Sequence, residues 1–223
     1  MYDNIILIPY RDREYHLNYF IKTLPLFKEH LPNSKVVVIE QNKGKLFNRG
    51  KILNVGFNEY KNCEYYITHD IDIIPNKQII CNIYNMKKDI ISILSGHKYS
   101  LGGIIKIKKD IIYDINGFPN YIWGWGIEDR ALYFRSIIKN YNIYVNNYKF
   151  NFTYLNHKSN VEKYKNDKLK ISNIWSENNI NSLNELQQNE LIMNSGLNNI
   201  DYKILKKSNI NNDKYIDHII VDI

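Results

Sequence analysis

Asp70-Ile71-Asp72 closes an apolar run, and Glu128-Asp129 follows an alternation of tryptophan and glycine, Trp123-Gly124-Trp125-Gly126. Residues two apart on a strand share a face, and on the turn beyond it Asp70 and Asp72 can converge on one ion. Hard divalent cations take oxygen ligands and leave positions for substrate phosphate, so such a pair suits a cation that grips a diphosphate. Asp72 would bind the metal, and Asp70 the metal or the donor ribose and sugar. Mn²⁺ or Mg²⁺ would act there as a Lewis acid on the leaving group. A flat aromatic wall beside a carboxylate suits a sugar, and Gly124 and Gly126 let the backbone approach a ligand. Asp129 would sit in the first turn of a helix, where the dipole favours its ionised form and where it can take a hydroxyl proton as a general base. Glu128 would bind the acceptor or support the helix start. Together these residues imply transfer of a sugar from a nucleotide diphosphate to a hydroxyl.

Arg11, Arg13 and Arg49 add guanidinium forks that match phosphate oxygens. His157 follows an aromatic segment (Phe150, Phe152, Tyr154), and a neutral imidazole is a competent third ligand for Mn²⁺. Each motif alone has a plainer reading. A DxD can be a surface turn, the tryptophans core aromatics, the arginines solvated surface and His157 a core or surface residue.

The elements that must position these groups are legible in the hydrophobic pattern. Asn4 to Tyr10, Lys35 to Glu40 and Glu64 to Thr68 are apolar runs of the kind a strand buried on both faces requires. Between them, Glu14 to about His30 has helical spacing in Leu17, Phe20, Ile21 and Leu24, with Pro25 kinking or ending it. Asn48 can cap a helix running to about Lys61. Gly102-Gly103 opens a strand through Ile107, Ile127 to Lys139 reads as an amphipathic helix, and Ile219-Ile220-Val221 as a last strand. Alternating strands and helices predict an α/β fold with a mainly parallel central sheet and ligand sites beyond the carboxyl ends of its strands. Arg11, Asp70 and Asp72 fall at such ends.

The chain has 223 residues, 44% of them hydrophobic, enough to bury the core of one domain over residues 1–223. No apolar run is long enough to span a bilayer, and no signal peptide or membrane anchor is expected. Cys63 and Cys81 fit no zinc spacing and are too few for a disulfide scaffold, so they read as buried or incidental thiols in a reducing cytoplasm. The net charge of +7 comes from scattered lysines without a basic-aromatic module, which argues against a nucleic-acid partner.

Further motifs stand in a familiar order. They are Pro9-Tyr10-Arg11-Asp12-Arg13, Phe47-Asn48-Arg49-Gly50-Lys51, Asn54-Val55-Gly56-Phe57, Asp70-Ile71-Asp72, Gly102-Gly103, Asn116-Gly117-Phe118-Pro119-Asn120, Trp123-Gly124-Trp125-Gly126, Glu128-Asp129, Gly196-Leu197-Asn198 and Val221-Asp222-Ile223. In this series the chain resembles the β-1,4-galactosyltransferase family over nearly its whole length. The resemblance implies a GT-A, Rossmann-like nucleotide-sugar fold, Mn²⁺, UDP-galactose as donor and a saccharide or glycoconjugate acceptor, with inversion at the anomeric carbon. On that pattern Asp72 and His157 are metal ligands, Asp129 is the catalytic base and Glu128 an acceptor contact. Trp125 belongs to a mobile loop that closes over the donor. Pro9, Arg11, Arg13, Phe47 and Arg49 contact the nucleotide, with Asp70 and Gly103 also on the donor side.

Three departures carry their own expectations. Tyr154 stands where the family usually has a methionine metal ligand, which puts metal preference in play. Ser100-Leu101 replaces the Tyr-Phe of the vertebrate galactose enzymes, which would leave room beside the sugar C2 for the N-acetyl group of UDP-GalNAc. Arg130 follows Asp129 where a further aspartate is common, which alters the acceptor side. Animal members carry an N-terminal anchor and stem in the Golgi, so the expectation here is a bacterial or viral enzyme in cytoplasm. The rival readings are another UDP-hexose as donor, or a carbohydrate-binding protein on a decayed catalytic scaffold.

Overall fold

A computed structural model describes residues 1–84, 90–124, 126–145, 152–156 and 165–223; for 82, 83 and 165–167 it describes the backbone alone. The first half alternates as expected: β1 (Tyr2–Tyr10), α1 (Glu14–Ile21), α2 (Leu24–His30), β2 (Ser34–Gln41), α3 (Arg49–Glu59) and β3 (Cys63–His69). Pro25 opens α2 within its first turn instead of kinking one long helix, because proline needs no amide hydrogen bond there. Asn48 caps α3 as the sequence predicts, its side chain accepting from Lys51 N at 2.8 Å.

After β3 the chain turns through β4 (Ile73–Ile74), α4 (Lys77–Ile79), β5 (Ile91–Ser95), β6 (Ile104–Lys108), α5 (Lys109–Asp114), α6 (Glu128–Ile138), β7 (Ile143–Val145) and β8 (Thr153–Tyr154). The last third holds α7 (Lys165–Ile174), α8 (Glu177–Ser182), α9 (Glu185–Met193), β9 (Lys203–Asn209) and β10 (Ile216–Asp222). Eight strands form the central sheet in the order β7-β5-β6-β3-β1-β2-β10-β9. Its middle is parallel, with β1 between β2 and β3, and β10 beside β2. Both flanks depart from that rule, since β6 runs antiparallel to β3 and to β5, and β9 antiparallel to β10.

The unbroken apolar runs are explained by a core on each face. Ile5, Leu7, Val37 and Ile39 point into one cluster with Ile52, Leu53 and Phe57 of α3. Ile6, Ile8, Val36 and Val38 point into the other with Phe20 and Phe27 of α1 and α2. Each fully buried aliphatic side chain of this kind contributes about 1.5–3 kcal/mol. A third cluster, Ile122, Ala131, Trp175 and Ile180, joins α6 to α7 and α8. Among the described residues no helix is long and apolar enough to cross a membrane. Cys63 is buried, and both it and Cys81 are free thiols.

Candidate active site

β1, β2 and β3 end on the same side of the sheet, and the loops beyond them carry most of the residues singled out in the sequence. Arg49, the first residue of α3, is nine-tenths buried and forms two ion pairs. Its Nε lies 2.8 Å from Asp70 Oδ1, just past β3, and its Nη1 lies 2.5 Å from Asp129 Oδ1, in the first turn of α6. One guanidinium thus draws together two motifs 59 residues apart in sequence. The two carboxylates keep Arg49 firmly charged against the cost of its burial. Its Nη2 is buried and makes no hydrogen bond, an orphan donor of the kind a phosphate oxygen would satisfy.

Asp70 and Asp72 face different arginines. Asp72 Oδ2 lies 3.2 Å from Arg13 Nη1, while Asp70 is on Arg49. The pair supplies the oxygen donors that a hard cation takes, and β8 adds a neighbouring segment, with Leu155 N donating to the Asp72 carbonyl at 2.8 Å. Tyr154, at the position where the sequence comparison expects a metal ligand, is exposed, and its hydroxyl lies 2.8 Å from Ser95 Oγ. Among the described residues there is no group of three or more His, Cys, Asp or Glu side chains placed to hold a metal. His157 and Trp125 lie outside the described residues.

On the nucleotide side, Pro9 is buried at the end of β1. The Arg11 guanidinium stacks 5.2 Å over the Phe47 ring, and its Nη1 donates to the Lys45 carbonyl at 2.7 Å. Gly124 N donates to the Phe47 carbonyl at 2.7 Å, which ties the tryptophan loop to the loop before α3. Lys45, which the sequence reading missed, places its Nζ 5.9 Å over Trp123. Gly44, Lys45, Leu46 and Trp123 line an open cavity of about 530 Å³. Lys45 carried no sequence signal beyond lying between Gly44 and Phe47.

The Gly102-Gly103 pair has a packing reason. A Cβ on Gly102 would stand 2.2 Å from Asp129 Oδ2, so glycine there leaves room for that carboxylate. Gly103 adopts φ +69°, and a Cβ on it would meet the Ser95 carbonyl at 2.3 Å. Its own carbonyl accepts from Asp70 N at 3.1 Å, and Leu101 N donates to the Asp129 carbonyl at 3.1 Å. This segment therefore fixes the backbone of both acidic motifs.

Burial is the largest influence on the acidic pair at the start of α6. Desolvation raises the Asp129 carboxyl above its ordinary range, opposed by the charge of Arg49. Glu128 is pushed up to about 8 by burial and then by the charge of Asp129, and its Oε2 makes no hydrogen bond. Asp129 lies in the first turn of α6 as the sequence predicts, and the charge of Arg49 favours its ionised form. Ile127, immediately before the pair, has φ +81°, a strained conformation for a β-branched residue that costs about 1–3 kcal/mol. Its side chain packs on the third cluster, which holds the turn in place.

Residues 1–87 match the N-terminal region of glycosyl transferase group 7, and residues 92–159 match the family's companion model, described as the N-terminal domain of galactosyltransferase. The chain belongs to glycosyltransferase group 7. It is 35% identical over 143 residues to human beta-1,4-galactosyltransferase 4, and 36% identical over 141 residues to bovine beta-1,4-galactosyltransferase 1. Each alignment takes in 58% of this chain, and it spans only 41% and 35% of those relatives' lengths. The fold matches the catalytic domain of Drosophila beta-1,4-galactosyltransferase 7 in complex with xylobiose, with a TM-score of 0.77 at 20% identity, over 100% of this chain and 94% of that one. A mutant of that enzyme was solved with manganese, UDP-Gal and xylobiose, at a TM-score of 0.76. Staphylococcus aureus TarS 1-349, solved with UDP-GlcNAc, shares the fold at a TM-score of 0.62 and 14% identity, over 86% of this chain and 71% of that one. The group 7 chain thus has the GT-A fold that its motif order implies.

Proposed function

We propose that this group 7 chain transfers galactose, or N-acetylgalactosamine, from a UDP-sugar to a saccharide hydroxyl with inversion, using Asp129 as the base. The observation that carries the reading is the double ion pair of Arg49, which holds the DxD end of β3 and the Asp129 carboxylate on one guanidinium. The relatives' names and the UDP-Gal complex of the Drosophila enzyme support the sugar.

In this reading Arg11 and Phe47 flank the uracil, Arg13 and Arg49 meet the diphosphate, and Trp125 closes over the donor. Asp72 and His157 would hold Mn²⁺, whose chemistry there is to stabilise charge on the leaving diphosphate. Asp129 takes the proton of the acceptor hydroxyl as its oxygen bonds to the anomeric carbon, and the bond from that carbon to the UDP oxygen breaks on the opposite face. A carboxyl raised by burial is a better proton acceptor than a free one, provided a neighbouring cation keeps it ionised, and Arg49 meets that condition. Glu128, holding a proton, adds little negative charge beside it. Ser100 leaves room at the sugar C2 and supports acceptance of UDP-GalNAc.

The test is thermal stabilisation of the purified chain by UDP-galactose, UDP-GalNAc, UDP-glucose and UDP-GlcNAc, each with and without Mn²⁺. Ligand at about a hundredfold over its Kd stabilises the native state by about 2.7 kcal/mol. We expect metal-dependent stabilisation by the first two donors, kept in Asp129→Asn while transfer to acceptors is lost. No shift with any donor would reject the donor site, and undiminished transfer by Asp129→Asn would reject the base.

A further inference from the structure

Arg130 is the residue that neither the donor site nor the base accounts for. It stands in the first turn of α6, directly after Asp129, where the positive end of the helix dipole disfavours a cation. Among the described residues no carboxylate pairs with it. Instead its Nη2 is anchored on α7, donating to the Ser172 carbonyl at 3.1 Å and to the Ser172 hydroxyl. Its Nε is buried and makes no hydrogen bond. A guanidinium fixed at one nitrogen, buried at another and given no counter-anion by the described residues is costly for the fold alone.

The surroundings add charge of the same sign and an aromatic wall. Lys168 lies one turn before Ser172 on α7, and its Nζ is 3.7 Å from where a Cβ on Gly124 would stand, in the loop leading to Asp129. Tyr133, one turn after Arg130, meets Tyr99 edge to face with centroids 6.0 Å apart. Among the described residues, Glu177 and Lys98 act on Tyr133 in opposite directions.

We propose that Arg130 receives an anionic group, a carboxylate or a phosphate, on the acceptor saccharide, so that the acceptors of this chain are acidic sugars. The inference rests on the proposed function, because it takes the space beside Asp129 to be the acceptor side. A planar guanidinium pairs with either anion, and an acceptor that brings its own negative charge supplies a counter-ion that the described residues do not provide.

The experiment is calorimetric titration of the chain, in UDP and Mn²⁺, with methyl glucuronide against methyl glucoside and with glucose 6-phosphate against glucose. In the wild type the acidic member of at least one pair binds about tenfold more tightly, and which pair shows it tells carboxylate from phosphate. That margin falls to about twofold or less in Arg130→Met and is partly restored in Arg130→Lys, as expected for a charge-assisted contact. Equal or weaker binding of both acidic members, or a margin that survives in Arg130→Met, overturns the inference. UDP-galactose stabilisation of the same preparations separates the two readings: a donor shift without acidic preference leaves the proposed function standing, and no donor shift removes both.

Discussion

Arg49 binds Asp70 and Asp129 at once, and the third carboxyl of the group, Glu128, has no cation to itself. It is 6% exposed, and burial beside Asp129 lifts its pKa to about 8. The folded chain therefore holds a proton that the unfolded chain, with an ordinary carboxyl near pH 4.5, has released. Stability from this group is fully present below about pH 4.5 and is lost as pH rises to about 8, because the native state binds more protons across that window. Glu128→Gln should flatten that part of the profile, and at pH 8 it should be more stable than wild type by a few kcal/mol. Urea denaturation at a series of pH values measures this, and an unchanged slope in the variant would reject the protonated Glu128.

At the level of elements, α3 and α6 meet the site through their N-termini, so the residues that start them matter more than their lengths. Asn48 caps α3 with its Oδ1, donates from Nδ2 to the Asn120 carbonyl at 2.7 Å, and donates from its backbone N to Gln41 Oε1 at 2.7 Å. It is fully buried and sits directly before Arg49. Removing its side chain in Asn48→Ala should cost about 1–3 kcal/mol through the lost cap and a part-buried carbonyl left bare. Chemical denaturation reads that loss, and a change below about 0.5 kcal/mol would mean that water takes over the cap. Ile127 shows the opposite case, a β-branched residue at positive φ held by packing against the third cluster. The sequence reading placed the start of α6 correctly to one residue, but φ at Ile127 follows from tertiary packing and leaves no mark in the pattern.

Across the whole molecule, Arg135 of α6 is the tie between the site and the last third of the chain. It is fully buried, and its guanidinium donates to the carbonyls of Asn116 at 2.9 Å, Gly117 at 2.8 Å and Ser195, and stacks 5.5 Å from the Trp175 ring. No carboxylate among the described residues offsets its charge, and burial depresses its pKa to about 9. Arg135→Met would strand these acceptors in the interior, at about 1–3 kcal/mol for each one left bare. A Tm lowered by well over about 5 °C, with only partial recovery in Arg135→Lys, is the expected result of a thermal melt. A Tm within about 2 °C of wild type would show that α6 is held by its apolar face alone.

The sequence by itself determined the parallel heart of the sheet, because residues buried on both faces must be apolar without interruption, as in Ile5-Ile6-Leu7-Ile8 and Val36-Val37-Val38-Ile39. It also determined the acidic motifs, the α3 cap and the order of motifs that marks the family, since these depend on residue type and spacing. The flanking strands were less legible: β9, with its row of lysines, is an exposed edge strand and needs no apolar face on its outer side. Tertiary structure alone decided which arginine each carboxylate meets, that burial raises the pKa of Glu128 and that Arg130 leans on Ser172. Ion pairing and desolvation depend on distances between residues remote along the chain, and those distances exist only once the sheet has brought the strand ends to one side.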